Sequence, residues 1–367
     1  MKALLVSEYG ALNGGEFSFL AALPAIQDVG FELTAALPDQ SGFADLLRKN
    51  GVTVEDFSFR DDESVRKPQA QIRSELETLI QSLQPNLVHA NSLAASRILG
   101  PVTAASEAVG LGYLRDIIKL SRKATDDIGM LDCIVAVSYA TADFHSAAGM
   151  PAEKITVIHN GVDLERFQPP VSDSDRNVEP RVVLCIGQVG MRKGLDLSLK
   201  MLAKVFQKTP AAEVWIVGQR HSQKQEAIEY EEELVRFSEE NFPDGSVKWL
   251  GRRSDIPDLM RSATLLVHGA KQEPLGRVLL EAAASGLPMV VTNVGGTPEI
   301  LDGAEELMFA PECFDDAASL TLDLLNDADL RQQVSMKLRS IAERKFDAKR
   351  AGQELAQKYL ELVDGRL

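Results

Sequence analysis

Residues 265–292 read LLVHGAKQEPLGRVLLEAAASGLPMVVT. Two short apolar runs, Leu265–His268 and Pro288–Thr292, flank a segment with helical spacing. Pro274 and Gly276 mark where that helix starts, and Gly286 with Pro288 marks where it stops. A buried strand, a helix and a second buried strand in this succession are the unit of a parallel sheet covered by helices.

The same alternation runs outward along the chain. In the first half, Ala3–Val6, Phe31–Ala36, Val52–Phe57, Leu87–Ala90, Gly112–Leu114, Cys133–Ser138 and Ile155–Ile158 read as strands. Helical spacing covers Gly14–Val29, Gly42–Asn50, Gln69–Leu83, Ser92–Ala108 with an interruption at Pro101, and Thr141–Ala148. Residues 168–180, QPPVSDSDRNVEP, are polar, bear prolines and have no period, so they read as a linker. The alternation then restarts. Strands are expected at Arg181–Ile186, Val214–Val217, Val247–Leu250, Leu265–His268 and Pro288–Thr292. Helices are expected at Leu195–Thr209, Ser222–Glu240, Ile256–Ser262, Asp315–Asn326, Asp329–Phe346 and Ala348–Val363. The fold class is α/β, with two similar halves and a cleft between them. Such sheets place ligands at the carboxyl ends of their strands.

The 367 residues suit two domains, and 45% hydrophobic with 25% charged residues suits a soluble globular chain. A net charge of −15 argues against broad nucleic-acid binding. Aromatic residues make up only 6%, too few for a carbohydrate module built on exposed rings. Cys133, Cys185 and Cys313 are not spaced for a metal, and an odd number gives no disulfide framework. The first two sit in apolar runs and read as core. The pattern fits a reducing, cytoplasmic setting. MKALLV at the start reads as a first strand rather than a leader. No run approaches the roughly 20 apolar residues of a membrane span, while peripheral contact with a membrane surface stays open.

Several segments carry chemistry beyond the fold. Glu273 and Glu281 stand eight residues apart around the helix start; eight helical residues rise about 12 Å. That is roughly the span from a sugar ring to the ribose of a nucleotide-sugar. The amides between the two acids lie at the positive end of the helix dipole, where a diphosphate binds well. Carboxylates accept strong hydrogen bonds from sugar hydroxyls. The plain alternative is two surface glutamates on an amphipathic helix. Gly14 and Gly15 follow the first strand and open the first helix, where backbone can approach an anion closely, or simply turn. Gly187–Gly194 (GQVGMRKG) places Arg192 and Lys193 between glycines before a helix, with Lys193 the better point charge for a phosphate. Gly251 and Arg252 end another strand, where a loop suits a nucleobase or plain solvent. Asn160-Gly161 marks a turn. His89 and His268 end buried strands and are more often satisfied structural residues than catalysts. His145 and His221 read as surface residues. There is no Asp-x-Asp, no His/Cys cluster and no Gly-x-Ser-x-Gly, so no metal ligands are visible.

The block Glu273 to Glu281, the following Ala284-Ser-Gly-Leu-Pro288 and Val294-Gly-Gly-Thr-Pro-Glu299 resemble the donor site of the family 4 type of retaining glycosyltransferase. Arg192-Lys193-Gly194, His159-Asn-Gly-Val-Asp163 and Gly14-Gly15 match the same pattern in the same order. The resemblance implies the GT-B architecture, two Rossmann-like domains facing a central cleft. Residues 1–167 would form the acceptor domain, 168–180 the linker and 181–346 the nucleotide-sugar donor domain. Residues 347–367 would cross back onto the first domain. It further implies that Glu281 binds the ribose and Glu273 the donor sugar. The Leu275 and Gly276 amides would face sugar or phosphates, Lys193 the diphosphate, and Gly15 would approach it from the first domain. The implied reaction is metal-independent hexosyl transfer, with retention, from a nucleotide-diphosphate sugar to a glycan, lipid or small-molecule hydroxyl. No cofactor is implied beyond that co-substrate. Two positions depart from the family. Arg115 stands where His is common, and Gln188 where Arg is common in a phosphate loop one residue longer. Arg192 and Arg115 would offset the missing cation. A non-catalytic nucleotide-sugar binder and another GT-B enzyme, such as an epimerase or a phosphorylase, are the alternatives. A dehydrogenase is disfavoured by the missing glycine fingerprint.

Overall fold

The computed structural model describes residues 1–171, 179–209, 211–311 and 313–365. The chain forms two compact units, Met1–Gly161 with Ala348–Leu367, and Val162–Asp347. The division falls at Gly161/Val162, so Val162–Phe167 belong with the second unit. Residues 172–178 of the expected linker lie outside the described residues.

The first unit runs β1 (Lys2–Val6), α1 (Gly14–Asp28), β2 (Glu32–Leu37), α2 (Gly42–Lys49), β3 (Thr53–Asp56), α3 (Gln69–Leu83), β4 (Leu87–Ala90), α4 (Leu93–Thr103), β5 (Val109–Leu114), α5 (Arg122–Gly129), β6 (Cys133–Ala136), α6 (Tyr139–Ala147) and β7 (Ile155–Val157). Its parallel sheet has the order β3-β2-β1-β4-β5-β6-β7. The registers Val6↔Ala36 and Val6↔Ala90 align the carboxyl end of β1 with those of its two neighbours. Leu4, Val6, Val88, Ala90, Ile98, Leu99, Ile134 and Ala136 form the core beneath helices α3 to α5.

The second unit runs β8 (Val182–Ile186), α7 (Leu195–Phe206), β9 (Glu213–Val217), α8 (Gln225–Asn241), β10 (Val247–Gly251), α9 (Ile256–Ser262), β11 (Leu265–His268), α10 (Arg277–Ala284), β12 (Met289–Thr292), α11 (Thr297–Ile300), β13 (Met308–Phe309), α12 (Phe314–Asn326) and α13 (Ala328–Lys345). Its parallel sheet has the order β10-β9-β8-β11-β12-β13. The final helix, α14 (Ala348–Asp364), belongs to the first unit, where Gly352 sits against Ala22 of α1 so closely that an added Cβ would lie 3.0 Å from the Ala22 Cα. In each sheet the chain starts a central strand, builds outward to one side, then crosses to the other. That reversal makes a crevice at the carboxyl ends of β1 and β4 in one sheet, and of β8 and β11 in the other.

Four readings of the sequence need correction. Helix α4 runs through Pro101 without interruption and stops at Thr103. Proline lacks the N–H that would bond the Arg97 carbonyl, and the Arg73 guanidinium takes that carbonyl instead at 3.0 Å. Helix α5 escaped notice because its eight residues, RKATDDIG, are mostly polar; Ser121 caps it by accepting from the Ala124 N–H. The short α11 and β13 also escaped notice, being too brief to show a period. His145 is not a surface residue: it is 1% exposed, and its Nε2 lies 2.8 Å from the Asp116 carbonyl oxygen. Cys133 and Cys185 are core as expected, and burial pushes their thiols up to about 11 and about 12. Among the described residues, no helix is long and apolar enough to cross a membrane.

Candidate functional site

In the second unit, the loops after β8, β11 and β12 emerge side by side because those three strands are adjacent. The loop after β8 ends in a 3-10 turn, Met191–Lys193, then Gly194 with φ 58°. A Cβ at Gly194 would stand 1.8 Å from the Gly269 carbonyl oxygen, so only glycine lets the two loops meet. The Lys271 N–H donates to the Arg192 carbonyl at 2.9 Å, tying the loop after β11 to the same turn.

This arrangement carries Lys193 to Glu273. The Lys193 Nζ lies 2.5 Å from Glu273 Oε2, and His268 Nε2 lies 3.0 Å from the same oxygen. A carboxylate can only accept, so the imidazole carries its proton on Nε2 toward Glu273. Glu273 is 4% exposed. Burial alone would raise its pKa, but His268 and Lys193 outweigh burial and bring it down to about 2. Both donors fall on Oε2, which leaves Oε1 to accept from something else.

The loop after β12 supports this acid from behind. Gly296 N–H donates to the Glu273 carbonyl at 2.9 Å. Gly295 has φ 54°, and a Cβ there would be 1.9 Å from the Glu273 carbonyl oxygen. Gly276, with φ 106°, caps α10. The Leu275 side chain is 1% exposed and packs inward, leaving its amide as its contribution to the site.

Glu273 therefore lies outside α10, which begins at Arg277. The expected helical rise of eight residues applies only from Arg277 to Glu281, about 6 Å. Glu281 is not brought to Lys193. It accepts from Arg277 Nε at 2.8 Å, with its side chain 12% exposed. Burial raises its pKa, and the charges of Arg277 and Arg166 oppose that rise. Gln188 and Arg192 are exposed on the β8 loop. Gly251 ends β10, with Arg252 exposed beside it. Since β10 lies two strands from β8, that end stands about 10 Å away along the sheet. Among the described residues, no group of three or more His, Cys, Asp or Glu side chains is placed to hold a metal ion.

In the first unit, Arg115 follows β5, Asn91 follows β4, and Gly14 and Gly15 open α1 after β1. Arg115 Nε donates to the Asn91 carbonyl at 3.1 Å, and its terminal nitrogens donate to Asn91 Oδ1 at 2.9 Å and Asn160 Oδ1 at 3.2 Å. Its guanidinium carbon stands 3.9 Å from the Tyr113 ring centroid. Tyr113 stacks on His89, whose Nδ1 meets the Tyr359 hydroxyl of α14 at 2.5 Å. His89 is fully buried core, and burial, then the charge of Arg115, holds its pKa well below the usual range. A Cβ on Gly15 would sit 3.1 Å from Arg115 Cδ, so the first turn of α1 lies directly against this arginine.

Residues 171–340 match the family described as glycosyl transferases group 1, and residues 12–166 match glycosyltransferase family 4. The chain belongs to the family 4 glycosyltransferases. It is 29% identical over 186 residues to the lipopolysaccharide core biosynthesis mannosyltransferase LpsB of Rhizobium meliloti, covering 49% of this chain and 50% of that protein. It is 27% identical over 254 residues to the GDP-mannose-dependent monoacylated alpha-(1-6)-phosphatidylinositol monomannoside mannosyltransferase of Corynebacterium glutamicum, covering 64% of each. The chain spans about half the length of the first of these relatives, and 39% of the sulfoquinovosyl transferase SQD2 of Arabidopsis thaliana. Among solved structures, Anabaena HepE in complex with UDP-glucose superposes with a TM-score of 0.82 at 23% identity, covering 98% of this chain and 99% of that one. Sucrose-phosphate synthase of Thermosynechococcus elongatus gives 0.79 at 16%, with full coverage of both chains. The two parallel-sheet α/β units thus have the fold of GT-B glycosyltransferases.

Sequence reasoning treated His268 as structural, took Gly295 only as part of the Val294–Glu299 block and Asn160 only as part of a turn, and passed over Asn91. One signal for His268 was available: it ends β11 five residues before Glu273, on the loop that must return toward the strand end. Nothing local marks Asn91 or Asn160 as a partner of Arg115, which they meet only through the sheet order.

Proposed function

We propose that this glycosyltransferase moves a hexosyl group from a nucleotide-diphosphate sugar to an acceptor hydroxyl, with retention and without a metal ion. The observation that carries this reading is the half-satisfied carboxylate of Glu273. Lys193 and His268 fix Oε2 and keep the group ionised, while Oε1 is left to accept from sugar hydroxyls. Lys193 has three N–H donors and directs one to Glu273, so two are available to a departing diphosphate. The Leu275 and Gly276 amides and the start of α10 add a fixed positive field. Glu281, held by Arg277, is the candidate for the ribose hydroxyls, Gln188 and Arg192 for phosphate, and Gly251 and Arg252 for the base. The carboxylate beside Lys193, Glu273, is paired rather than free, which favours same-face attack with a leaving-group oxygen accepting the acceptor's proton. The first unit serves the acceptor side, whether glycan, lipid or small molecule, and Gly14, Gly15 and Arg115 are the groups it offers to the reacting molecules. The UDP-glucose complex of HepE and the GDP-mannose dependence of the Corynebacterium relative support a nucleotide-sugar donor.

The test combines binding with turnover. Thermal shift against a panel of nucleoside diphosphates and nucleotide-sugars should single out one base, and Lys193→Ala should weaken that ligand about tenfold or more. Slow release of nucleoside diphosphate from the matching donor should fall in both Lys193→Ala and Glu281→Ala. Tight binding with no release under any acceptor would leave a binding protein rather than a transferase. Unchanged kinetics in both variants would remove the assignment of these residues.

A further inference from the structure

The Arg115 site in the first unit holds donors that the protein itself does not satisfy. A guanidinium has five N–H donors. Arg115 spends three, one from each nitrogen, on the Asn91 carbonyl, Asn91 Oδ1 and Asn160 Oδ1. All three acceptors are neutral. The remaining two N–H groups, one on each terminal nitrogen, have no protein acceptor, and no carboxylate among the described residues lies within ion-pair distance. The acids whose charge it feels are Glu16 and Asp116. Glu16 is turned to the Asn13 N–H at 3.0 Å. Burial disfavours the charge, and a half-buried cation with only neutral oxygens and the Tyr113 ring around it gains from an anion that completes it.

A second, independent observation points to the same spot. Asn91 is 1% exposed, and its Nδ2 is a buried donor with no partner. Its Oδ1 is fixed on Arg115, and both atoms hang on one carbon, so the unpaired amide lies beside the guanidinium. The third element is the start of α1, a 15-residue helix whose first turn presents Gly15 against Arg115. Arg115, Asn91 and Gly15 thus gather donors at the carboxyl ends of β5, β4 and β1, around the crevice where the strand order reverses.

We propose that this pocket binds an oxyanion, a phosphate ester or carboxylate, carried by the acceptor; this rests on reading the first unit as the acceptor side. Arg115 and the Asn91 amide are its specificity-determining groups, and Asn160 positions the guanidinium. A planar fork of two parallel N–H groups matches the two oxygens of a carboxylate or phosphate. A neutral hydroxyl would satisfy one of those donors and leave the charge unmatched.

The test uses the full chain without donor and reads binding directly. Glucose 6-phosphate, glucuronate and neutral glucose are titrated while the side-chain Nε–Hε resonances of ¹⁵N-arginine are followed. The two anionic probes should shift the Arg115 resonance, which Arg115→Lys identifies by its disappearance, and glucose should not. Arg115→Gln and Asn91→Ala should weaken the anionic probes about tenfold to a hundredfold. Inorganic phosphate and UDP form the control arms. If UDP alone moves Arg115, and Arg115→Gln weakens UDP as much as Lys193→Ala does, the cation serves the donor and the proposal is overturned. Equal binding of glucose and glucose 6-phosphate, or no Arg115 shift with any anion, overturns it too. A shift by phosphate esters in a chain that binds no nucleotide would uphold this site while removing the transferase reading.

Discussion

Replacing Glu273 with Gln removes one charge and little volume from a carboxyl that is 4% exposed. In the folded chain that carboxyl titrates at about 2 rather than 4.5. Its folded pKa is therefore depressed, so the stability it confers is present above pH 4.5 and is lost as pH falls toward 2. The shift corresponds to about 3 kcal/mol at pH 7, of which roughly 2.5 remains at pH 4 and roughly 1.5 at pH 3. Both tryptophans of the chain, Trp215 and Trp249, lie in the second unit on β9 and β10. Urea unfolding followed by tryptophan fluorescence therefore reports on the unit that contains Glu273. Glu273→Gln should unfold at lower urea than the parent at pH 7, with an unchanged slope, by about 3 kcal/mol. The gap should narrow steadily below pH 4.5, because the parent loses what the variant never had. A variant as stable as the parent at pH 7, or a gap that stays constant down to pH 3, would refute the view that Lys193 and His268 hold this group ionised.

Two further outcomes follow from positions outside the charged cluster. Gly295→Ala combines a positive φ with a Cβ 1.9 Å from the Glu273 carbonyl oxygen; it should cost the second unit about 3 kcal/mol or more in the same urea experiment, and a loss below about 1 kcal/mol would show that the β12 loop does not brace Glu273. His89 stays neutral in the fold while the unfolded chain takes up its proton near pH 6.5, so the first unit should lose stability as pH falls through 6.5 and below. Native-state hydrogen exchange of β4 and β5 at pH 7 and pH 5.5 should show that loss in the parent and not in His89→Phe; equal protection at both pH values in the parent would mean that the ring is protonated in the fold.

The alternation of apolar runs and helical stretches was legible because buried parallel strands have little freedom in composition. Leu265–His268 and Ile256–Ser262 could be placed to the residue. Polar α5 was invisible because its signal is a serine cap rather than an apolar stripe. Pro101 misled because the donor that replaces its missing N–H, Arg73, comes from a different helix. Lys193, Glu273, Glu281 and Arg115 could be singled out from type and position. Their pairing could not. Lys193 meets Glu273 across 80 residues of sequence, and Arg115 meets Asn160 across 45. Both meetings depend on which strand ends are neighbours in the sheet. The helix entry at Pro274 and Gly276 was legible, but the helical rise of about 12 Å from Glu273 to Glu281 does not apply, because Gly276 turns the chain at φ 106° and the helix begins only after it.

The two units share a strand order and place their charged groups at equivalent crevices, yet with opposite completeness. In the second unit an acid is paired with a lysine and a histidine through one oxygen, and the other oxygen is left over. The surplus on that acid is acceptor capacity, which suits the hydroxyls of a sugar, and it stands beside the spare donors of Lys193. In the first unit a cation is held by amide and carbonyl oxygens and the face of the Tyr113 ring, and donors are left over on Arg115 and Asn91. The surplus there is donor capacity with a net charge, which suits an oxyanion. A spare acceptor oxygen stands only in the second crevice, which is a physical reason to propose different substrates for the two units, and to expect that exchanging the charges at Glu273 and Arg115 would abolish binding at both rather than relocate it.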